Sequence, residues 1–205
     1  MLGMKDTTLP NLKQGLTFLH HQNYQVMLRN SGGLAVVSDE KILNISYLQA
    51  TNKKWSIDTY YHDLMSFLQK YIDTPLTHGE VKTAYCPGKY DLQIKQRKIA
   101  GMSQKKFKDA NATMAYVSLA GNQSQRGELI KRFYHISQAD ETFPQIQPSS
   151  MTTLADVQTH FDFTTWRNYP NLLTNTDFTQ WLNDNQQLQT KLKAKLIQRQ
   201  SLLTK

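Results

Sequence analysis

The stretch YCPGKYDLQIKQRKIAG, residues 85–101, contains the single cysteine of the chain beside two turn-forming residues and two strand-like runs. Pro87 and Gly88 favour a turn, so we expect Cys86 on a loop next to extended segments. A cysteine attacks a carbonyl carbon as the thiolate, which needs a nearby cation at neutral pH. The same stretch supplies four cations, Lys89, Lys95, Arg97 and Lys98. Cys86 is therefore a candidate nucleophile, and the alternative is a small buried apolar side chain.

Positive charge is concentrated around this cysteine. The 205-residue chain has a formal net charge of +8, and residues 81–108 contain eight basic side chains against one acid, Asp91. Such a field attracts an acidic partner, although a solvated face without a partner is the alternative. No zinc-finger or RNA-binding signature accompanies the charge, so we expect no nucleic-acid partner.

Length and composition indicate one folded unit that is large enough to be an enzyme domain. The hydrophobic content of 39% is compatible with a globular core. No apolar run approaches the about 18 residues of a membrane span. The N-terminus also lacks the basic segment followed by an apolar segment that is typical of a signal peptide. A single cysteine agrees with a reducing compartment. We therefore expect a cytoplasmic protein without membrane association.

Hydrophobic spacing predicts the elements upstream of the cysteine. Apolar residues recur every three or four positions after Pro10, which predicts a helix. Residues 24–29, 34–37 and 42–47 read as consecutive antiparallel strands. The Gly32-Gly33 pair between them either turns a tight hairpin or lets a ligand approach the main chain. Ser56 is placed to cap a second helix.

Downstream of the cysteine, residues 112–119 predict a strand and residues 124–134 a helix. A proline-bearing segment at 143–150 predicts a boundary. We therefore divide the chain into a core over residues 1–143 and a helical extension over 144–205 that packs on the core. The last helix would present one apolar face, made of Phe178, Trp181, Leu188, Leu192 and Leu196.

Metal chemistry receives no support from the spacing of candidate ligands. The histidines do not combine with Cys86 into a metal-ligand pattern, and no phosphate-binding loop or dinucleotide fingerprint is present. We expect no metal site; the six histidines are His20, His21, His62, His78, His135 and His160.

Three segments resemble one protein family, in the family's order. RNSGGLAV at residues 29–36 and KIAG at residues 98–101 resemble the Arg-x-x-Gly-Gly-x-x-Val and Lys-(Ile/Val/Phe)-(Ala/Ser)-Gly signatures of the biotin/lipoate protein ligase superfamily. CPGKYDL at residues 86–92 resembles its octanoyltransferase branch. The resemblance covers most of residues 1–134. Family members have a longer N-terminal segment, so we expect an N-terminally shortened core. Gln96 also departs from the family's usual glycine.

The resemblance implies an α/β (α+β) fold with a mixed, largely antiparallel curved sheet flanked by helices. It implies transfer of an octanoyl or lipoyl group from the glycine cleavage H protein to the lysine of lipoyl domains of 2-oxo acid dehydrogenase subunits. Cys86 would be the thioester nucleophile, and Lys98 would favour its thiolate form. The implied acyl-binding residues are Arg29, Ser31, Gly32, Gly33, Leu34, Ala35, Asn44 and Gly101.

We expect an enzyme that needs no cofactor and acts as a monomer. Its partners are the octanoylated H protein as donor and acidic lipoyl domains as acceptors. Two alternatives stay open. An ATP-dependent lipoate-protein ligase would require ATP and Mg²⁺ and no cysteine, and an inactive fragment would only bind lipoyl domains. The Cys86-Pro87-Gly88 motif favours the transferase over the ligase.

Overall fold

An antiparallel five-stranded sheet carries the cysteine loop at one side. The computed structural model describes residues 1–50, 55–108, 110–168 and 186–204. The strands are β1 (Ile42–Ala50), β2 (Thr77–His78), β3 (Leu92–Ile94), β4 (Arg97–Lys106) and β5 (Ala110–Ser118). They lie in the order β1-β5-β4-β3-β2. The predicted α/β class with a largely antiparallel sheet is confirmed.

Three longer helices accompany the sheet in the first part of the chain. They are α1 (Leu12–His21), α2 (Ile57–Gln69) and α3 (Gln123–Ile136). The Ser56 side chain caps α2 by accepting a hydrogen bond from the Thr59 N–H at 3.2 Å, as its residue type predicts. Among the apolar side chains that recur on one face of α2, Leu64 and Leu68 are buried. Ile57, which has the same apolar spacing, is 64% exposed, so only part of this set faces inward.

The pairing of β1 differs from the sequence prediction. β1 pairs along its whole length with β5, from Ile42 opposite Ser118 to Ala50 opposite Ala110. Residues 34–39 join no ladder, and residues 24–29 contribute one isolated parallel bridge between Leu28 and Leu2. The predicted run of three consecutive antiparallel strands is therefore wrong.

Hydrogen bonding explains why residues 34–36 form no strand. The Leu34 N–H donates to the Sγ atom of Cys86, and the Ala35 N–H donates to the hydroxyl of Tyr134. The Val36 N–H donates to the carbonyl of Met1. Because these donors are already bound, this segment is not available to pair with β1.

The described chain divides into two compact units, residues 1–161 and residues 162–205. Residues 144–161 include α4 (Leu154–Val157) and belong to the first unit, where the Thr152 N–H donates to the Lys98 carbonyl. The second unit contains α5 (Phe163–Asn168) and α6 (Gln186–Gln200). Phe178, Trp181 and the side chain of Leu188 lie outside the described residues. Packing of the extension on the core stays a prediction.

Candidate active site around Cys86

Cys86 lies on the loop between β2 and β3 in a backbone conformation that is unusual for its residue type. Its φ angle is +47°, in the left-handed region that residues with a Cβ atom adopt at an energetic cost. The residue is partly exposed and is a free thiol. Such local strain occurs preferentially at functional positions, which agrees with the predicted role of this cysteine.

Two hydrogen-bond donors meet at the sulfur atom. The Nη2 of Arg29 and the backbone N–H of Leu34 each lie 3.1 Å from Sγ. The same Nη2 donates to the Leu34 carbonyl at 2.6 Å, which fixes the guanidinium against this loop. A guanidinium charge and an amide dipole directed at one atom stabilise negative charge there. The site is therefore arranged to hold a thiolate.

Gly33 is the glycine on which this arrangement depends. Its φ angle is +95°, and a Cβ atom there would lie 2.7 Å from Sγ of Cys86 and 2.4 Å from Nη2 of Arg29. A Cβ atom on Gly32 would meet nothing within 4 Å. Only the second glycine is required by the packing around the sulfur. The sequence pattern alone could not separate the two.

Lys98 contacts the backbone of the cysteine loop, and its expected effect on the thiolate stays a prediction. Its ammonium is buried and donates to the carbonyl oxygens of Cys86 and Tyr85, at 2.6 and 3.1 Å. It also forms an ion pair of 2.8 Å with Oδ1 of Asp91. Lys98 therefore anchors the backbone of the cysteine loop, whereas the cation hydrogen-bonded to the sulfur is Arg29.

Asp91 is a site residue that sequence reasoning did not single out. Its carboxylate accepts hydrogen bonds from the N–H groups of Gly88 and Val81, at 3.1 and 3.2 Å. Burial raises the pKa of Asp91, and the ammonium of Lys98 opposes that rise. A Cβ atom on Gly101 would lie 3.3 Å from Nζ of Lys98, so Gly101 leaves room for this ion pair. The position of Asp91 in the CPGKYDL motif was the sequence feature that could have identified it as a site residue.

A buried polar network holds the residue that precedes the cysteine. The hydroxyls of Tyr85 and Tyr116 are 2.5 Å apart, and Nε2 of Gln123 donates to the Tyr85 hydroxyl at 2.7 Å. Arg126 donates to Gln123 at 3.0 Å and forms two bonds of 2.8 Å to Asp39. Burial raises the pKa of Tyr85 to about 12. These residues come from distant parts of the chain, and no sequence signal pointed to them.

A second buried network supports the segment that follows Gly33. The Tyr134 hydroxyl accepts from the Ala35 N–H at 3.1 Å and donates to Oδ1 of Asp6 at 3.0 Å. The Gly3 N–H donates to the other oxygen of Asp6 at 2.6 Å. Burial is the main cause of the raised pKa of Asp6. Helix α3 thereby fixes the segment that follows Gly33.

Cys86 opens into a cavity of about 710 Å³. Its wall includes apolar side chains from three elements, among them Val36, Ile45, Ala112 and Met114. Of the predicted acyl-binding residues, the wall contains Arg29, Ser31, Gly32, Gly33, Asn44 and Gly101. Leu34 and Ala35 are not part of this wall and contribute backbone N–H bonds instead. An apolar cavity that also contains polar groups suits a chain-like ligand with a reactive head.

The described residues contain neither a cluster of three or more metal ligands nor a membrane-spanning helix. No group of three or more His, Cys, Asp or Glu side chains there could hold a metal ion. Among the helices within residues 1–50, 55–108, 110–168 and 186–204, none is long and apolar enough to cross a bilayer.

Known proteins match this chain over its larger unit. Residues 1–169 match the family model of the lipoyl protein ligase A/B catalytic domain. The chain is 41% identical over 165 residues to the octanoyl-[GcvH]:protein N-octanoyltransferase of Lysinibacillus sphaericus, covering 77% of this chain and 59% of the relative. It is 38% identical over 164 residues to the lipoyl-[GcvH]:protein N-lipoyltransferase of Listeria monocytogenes, covering 76% and 59%. The chain thus spans about 59% of the length of these curated relatives.

Solved structures agree with the fold. A bi-partite lipoate protein ligase from Thermoplasma acidophilum superimposes with a TM-score of 0.58 at 15% identity, covering 82% of this chain and 62% of that one. A lipoate-protein ligase A bound with ATP gives a TM-score of 0.55 at 15% identity, covering 75% and 58%. The sheet, the three motifs and the family model lead to one conclusion: this chain belongs to the lipoyl protein ligase A/B catalytic domain family.

Proposed function

We propose that this chain is the catalytic part of a cysteine acyltransferase that moves an octanoyl or lipoyl group between protein lysines. The observation that carries the proposal is the sulfur of Cys86, which receives the Arg29 and Leu34 donors at 3.1 Å and opens into an apolar cavity. The names of the relatives, which specify octanoyl or lipoyl transfer from GcvH, support the same chemistry.

In the first half-reaction, the Cys86 thiolate attacks the carbonyl carbon of the acylated donor lysine. The amide C–N bond breaks as the lysine nitrogen takes up a proton, which leaves a thioester on Cys86 and a free amine on the donor. In the second half-reaction, an acceptor lysine amine attacks the thioester carbonyl and loses a proton. The C–S bond then breaks and the thiolate is regenerated.

The residues around the sulfur would have separate roles in this reaction. Arg29 and the Leu34 N–H stabilise negative charge on Sγ before attack and after release. Lys98 and Asp91 hold the loop through its backbone, which fixes Sγ relative to the cavity. Lys98 is also a candidate to protonate the leaving lysine amine.

The cavity supplies binding energy for the acyl chain. Burying about seven methylenes contributes on the order of 5 kcal/mol at ~0.8 kcal/mol each. Val36, Ile45 and Ala112 provide apolar wall on the same side of the molecule as Cys86. Chains of this length would therefore be held with the carbonyl carbon near the sulfur.

The partners follow from charge and from the relatives. We take the octanoylated H protein as donor and acidic lipoyl domains as acceptors, because residues 81–108 concentrate positive charge around Cys86. The reaction as written needs no cofactor. We assign it to a monomer in the cytoplasm, where a free thiol stays reduced.

A test without ATP separates this function from its alternatives. The purified chain is incubated with octanoylated H protein, and mass spectrometry is used to find an octanoyl adduct on Cys86 that hydroxylamine removes. The Cys86→Ala chain is the matched control and should form none. An adduct that requires ATP and free octanoic acid would establish a ligase instead. Binding of lipoyl domains without any adduct would leave a binding module, and either result refutes the proposal.

A further inference from the structure

Two exposed histidines meet beside the cysteine loop. His62 lies on α2 and His78 on the short edge strand β2. Their Nε2 atoms are 3.3 Å apart, and their ring centroids are 5.1 Å apart. Both side chains are exposed to solvent. The two ring nitrogens therefore face each other at a position that a dissolved ion can reach.

Aromatic packing holds both rings in place. His78 stacks on Tyr90 with centroids 5.2 Å apart, and His62 meets the same ring edge-on at 6.0 Å. Tyr61 stacks on Tyr90 at 4.2 Å, and the Tyr90 hydroxyl donates to Asp58. Because the rings are braced by one central tyrosine, little freedom is lost when a ligand binds between them.

The separation of the two nitrogens fits a chelate. Zn²⁺ binds histidine nitrogen at about 2.0–2.1 Å with tetrahedral geometry, which places two such nitrogens roughly 3.3–3.4 Å apart. The observed separation of 3.3 Å matches this value. In the absence of an ion the same distance permits one Nε2–H to donate to the other Nε2. Binding then requires both protons to lie on Nδ1.

The local charge includes one acid and one base. Asp58 lies one helical turn before His62, and its pKa is lowered mainly by the hydrogen bond from Tyr90, with further contributions from Lys89 and His62. The Asp58 carboxylate is therefore ionised at neutral pH. Lys89 lies 3.6 Å from this carboxylate. Among these immediate neighbours, the Asp58 carboxylate offsets the charge of Lys89.

We propose that His62 and His78 form a two-histidine site for a divalent ion of the imidazole-preferring class, such as Zn²⁺, Ni²⁺ or Cu²⁺. Within the described residues no third His, Cys, Asp or Glu completes a larger cluster, so water fills the remaining coordination positions. The ion links α2 to β2 and is open to exchange. This inference does not depend on the acyltransfer chemistry of Cys86.

The test uses the full chain carrying Cys86→Ala, because a thiolate would compete for the metal. Zn²⁺ alone is titrated at about pH 7.5, where free imidazole is neutral. Calorimetry measures the stoichiometry, and NMR of the imidazole ring resonances identifies the ligands. The expected result is one ion per chain, with shifts confined to the His62 and His78 rings and to the neighbouring Tyr90.

Matched variants in the same background decide the assignment. His62→Ala and His78→Ala should each weaken binding by at least about 10-fold, since even outer-shell partners of metal ligands contribute that much. His20→Ala/His21→Ala removes two exposed imidazoles elsewhere and should leave binding unchanged. Equal binding in all variants, loss only in the His20/His21 variant, or no binding below about 1 mM in the Cys86→Ala chain overturns the proposal. The NMR shifts of the imidazole rings also identify which histidines bind the ion, without any histidine substitution.

Discussion

Nη2 of Arg29 lies 3.1 Å from Sγ of Cys86, although 57 positions separate the two residues in the chain. Arg29 begins the segment that contains Gly33 and Leu34, and Cys86 begins the CPGKYDL segment. Their contact joins two motifs that are separate in the sequence into one site. The guanidinium is therefore the cation placed to stabilise a Cys86 thiolate in the proposed acyl transfer.

Replacing Arg29 tests this contact directly. Arg29→Gln removes the charge beside the sulfur, so we expect both alkylation of Cys86 by iodoacetamide and formation of the acyl adduct to slow on the order of 10²-fold. Arg29→Lys should retain part of the rate because a charge is kept while the fixed guanidinium geometry is lost. Arg97→Gln removes a cation from the same basic region and serves as the control. Unchanged alkylation in Arg29→Gln would contradict the assignment.

The two neighbouring glycines should respond differently to a methyl group. At Gly33, alanine would meet a φ of +95° and a close approach to both Sγ and Nη2 of Arg29. We expect Gly33→Ala to lower the free energy of unfolding by about 1–3 kcal/mol and to impair acylation of Cys86. At Gly32 the space is open. Urea unfolding and adduct formation of Gly32→Ala should stay close to the unsubstituted chain, and similar losses in both variants would refute the distinction.

Removing Lys98 should destabilise the protein as well as inactivate it. Lys98→Met leaves the carboxylate of Asp91 buried without its counter-ion, which costs about 3–5 kcal/mol. The exposed Lys106→Met variant is the control and should change the free energy of unfolding by less than about 0.5 kcal/mol. Chemical denaturation measures both. A stable Lys98→Met chain that only loses activity would show that Lys98 acts on the reaction and not on the loop.

The loss in Lys98→Met should also depend on pH. Without the ammonium, only the hydrogen bonds from the Gly88 and Val81 N–H groups oppose the rise that burial causes in the pKa of Asp91. A carboxyl group with a raised pKa in the folded state contributes stability below its unfolded pKa of about 3.9, and this contribution is lost as pH rises through the folded pKa. Lys98→Met should therefore be closer in stability to the unsubstituted chain near pH 4 than near pH 7.

Asp6 gives a second pH-dependent prediction. Burial raises its pKa in the folded protein, so its contribution to stability is present at acid pH and falls as pH rises from about 4 through the folded pKa. Asp6→Asn does not titrate. The free energy of unfolding of Asp6→Asn, minus that of the unsubstituted chain, should therefore increase with pH over this window. Urea titrations at several pH values measure the difference, and a flat or falling difference would contradict the raised pKa.

An exposed acid is the control that shows whether burial causes the pH dependence expected for Asp6→Asn. Asp140 lies at the surface, and hydrogen bonds from the Thr142 hydroxyl and N–H lower its pKa. Its contribution should be present at neutral pH and lost as pH falls, which is the opposite sign to Asp6. Asp140→Asn should therefore give a stability difference that moves in the other direction with pH.

Local patterns were sufficient where a structural feature depends on neighbours in sequence. The cap at Ser56 follows from residue type, and the burial of Leu64 and Leu68 follows from their spacing. The three short motifs, whose residues are contiguous, were also sufficient to predict the family. Cys86 was found from the sequence because it is the single cysteine and stands beside a turn and a group of cations.

The sequence could not decide interactions between distant segments. Strand β1 was expected to pair with residues 34–37, yet it pairs with β5 because the backbone donors of that segment are bound by Cys86, Tyr134 and Met1. For the same reason the networks of Tyr85 and Asp6 escaped prediction. Each unites side chains from several elements, and spacing along the chain carries no information about such contacts.

The sequence by itself determined that this chain has the motifs of its family and a cysteine with cations nearby. Only the tertiary structure decided which cation meets the sulfur. Lys98 is nearer in sequence, but its buried ammonium is held by Asp91 and by the carbonyl oxygens of the cysteine loop. Arg29 reaches Sγ because the positive φ of Gly33 and the bound N–H of Leu34 bring the two loops together. Charge can be counted in a sequence, whereas its distance from the reacting atom is set by the fold.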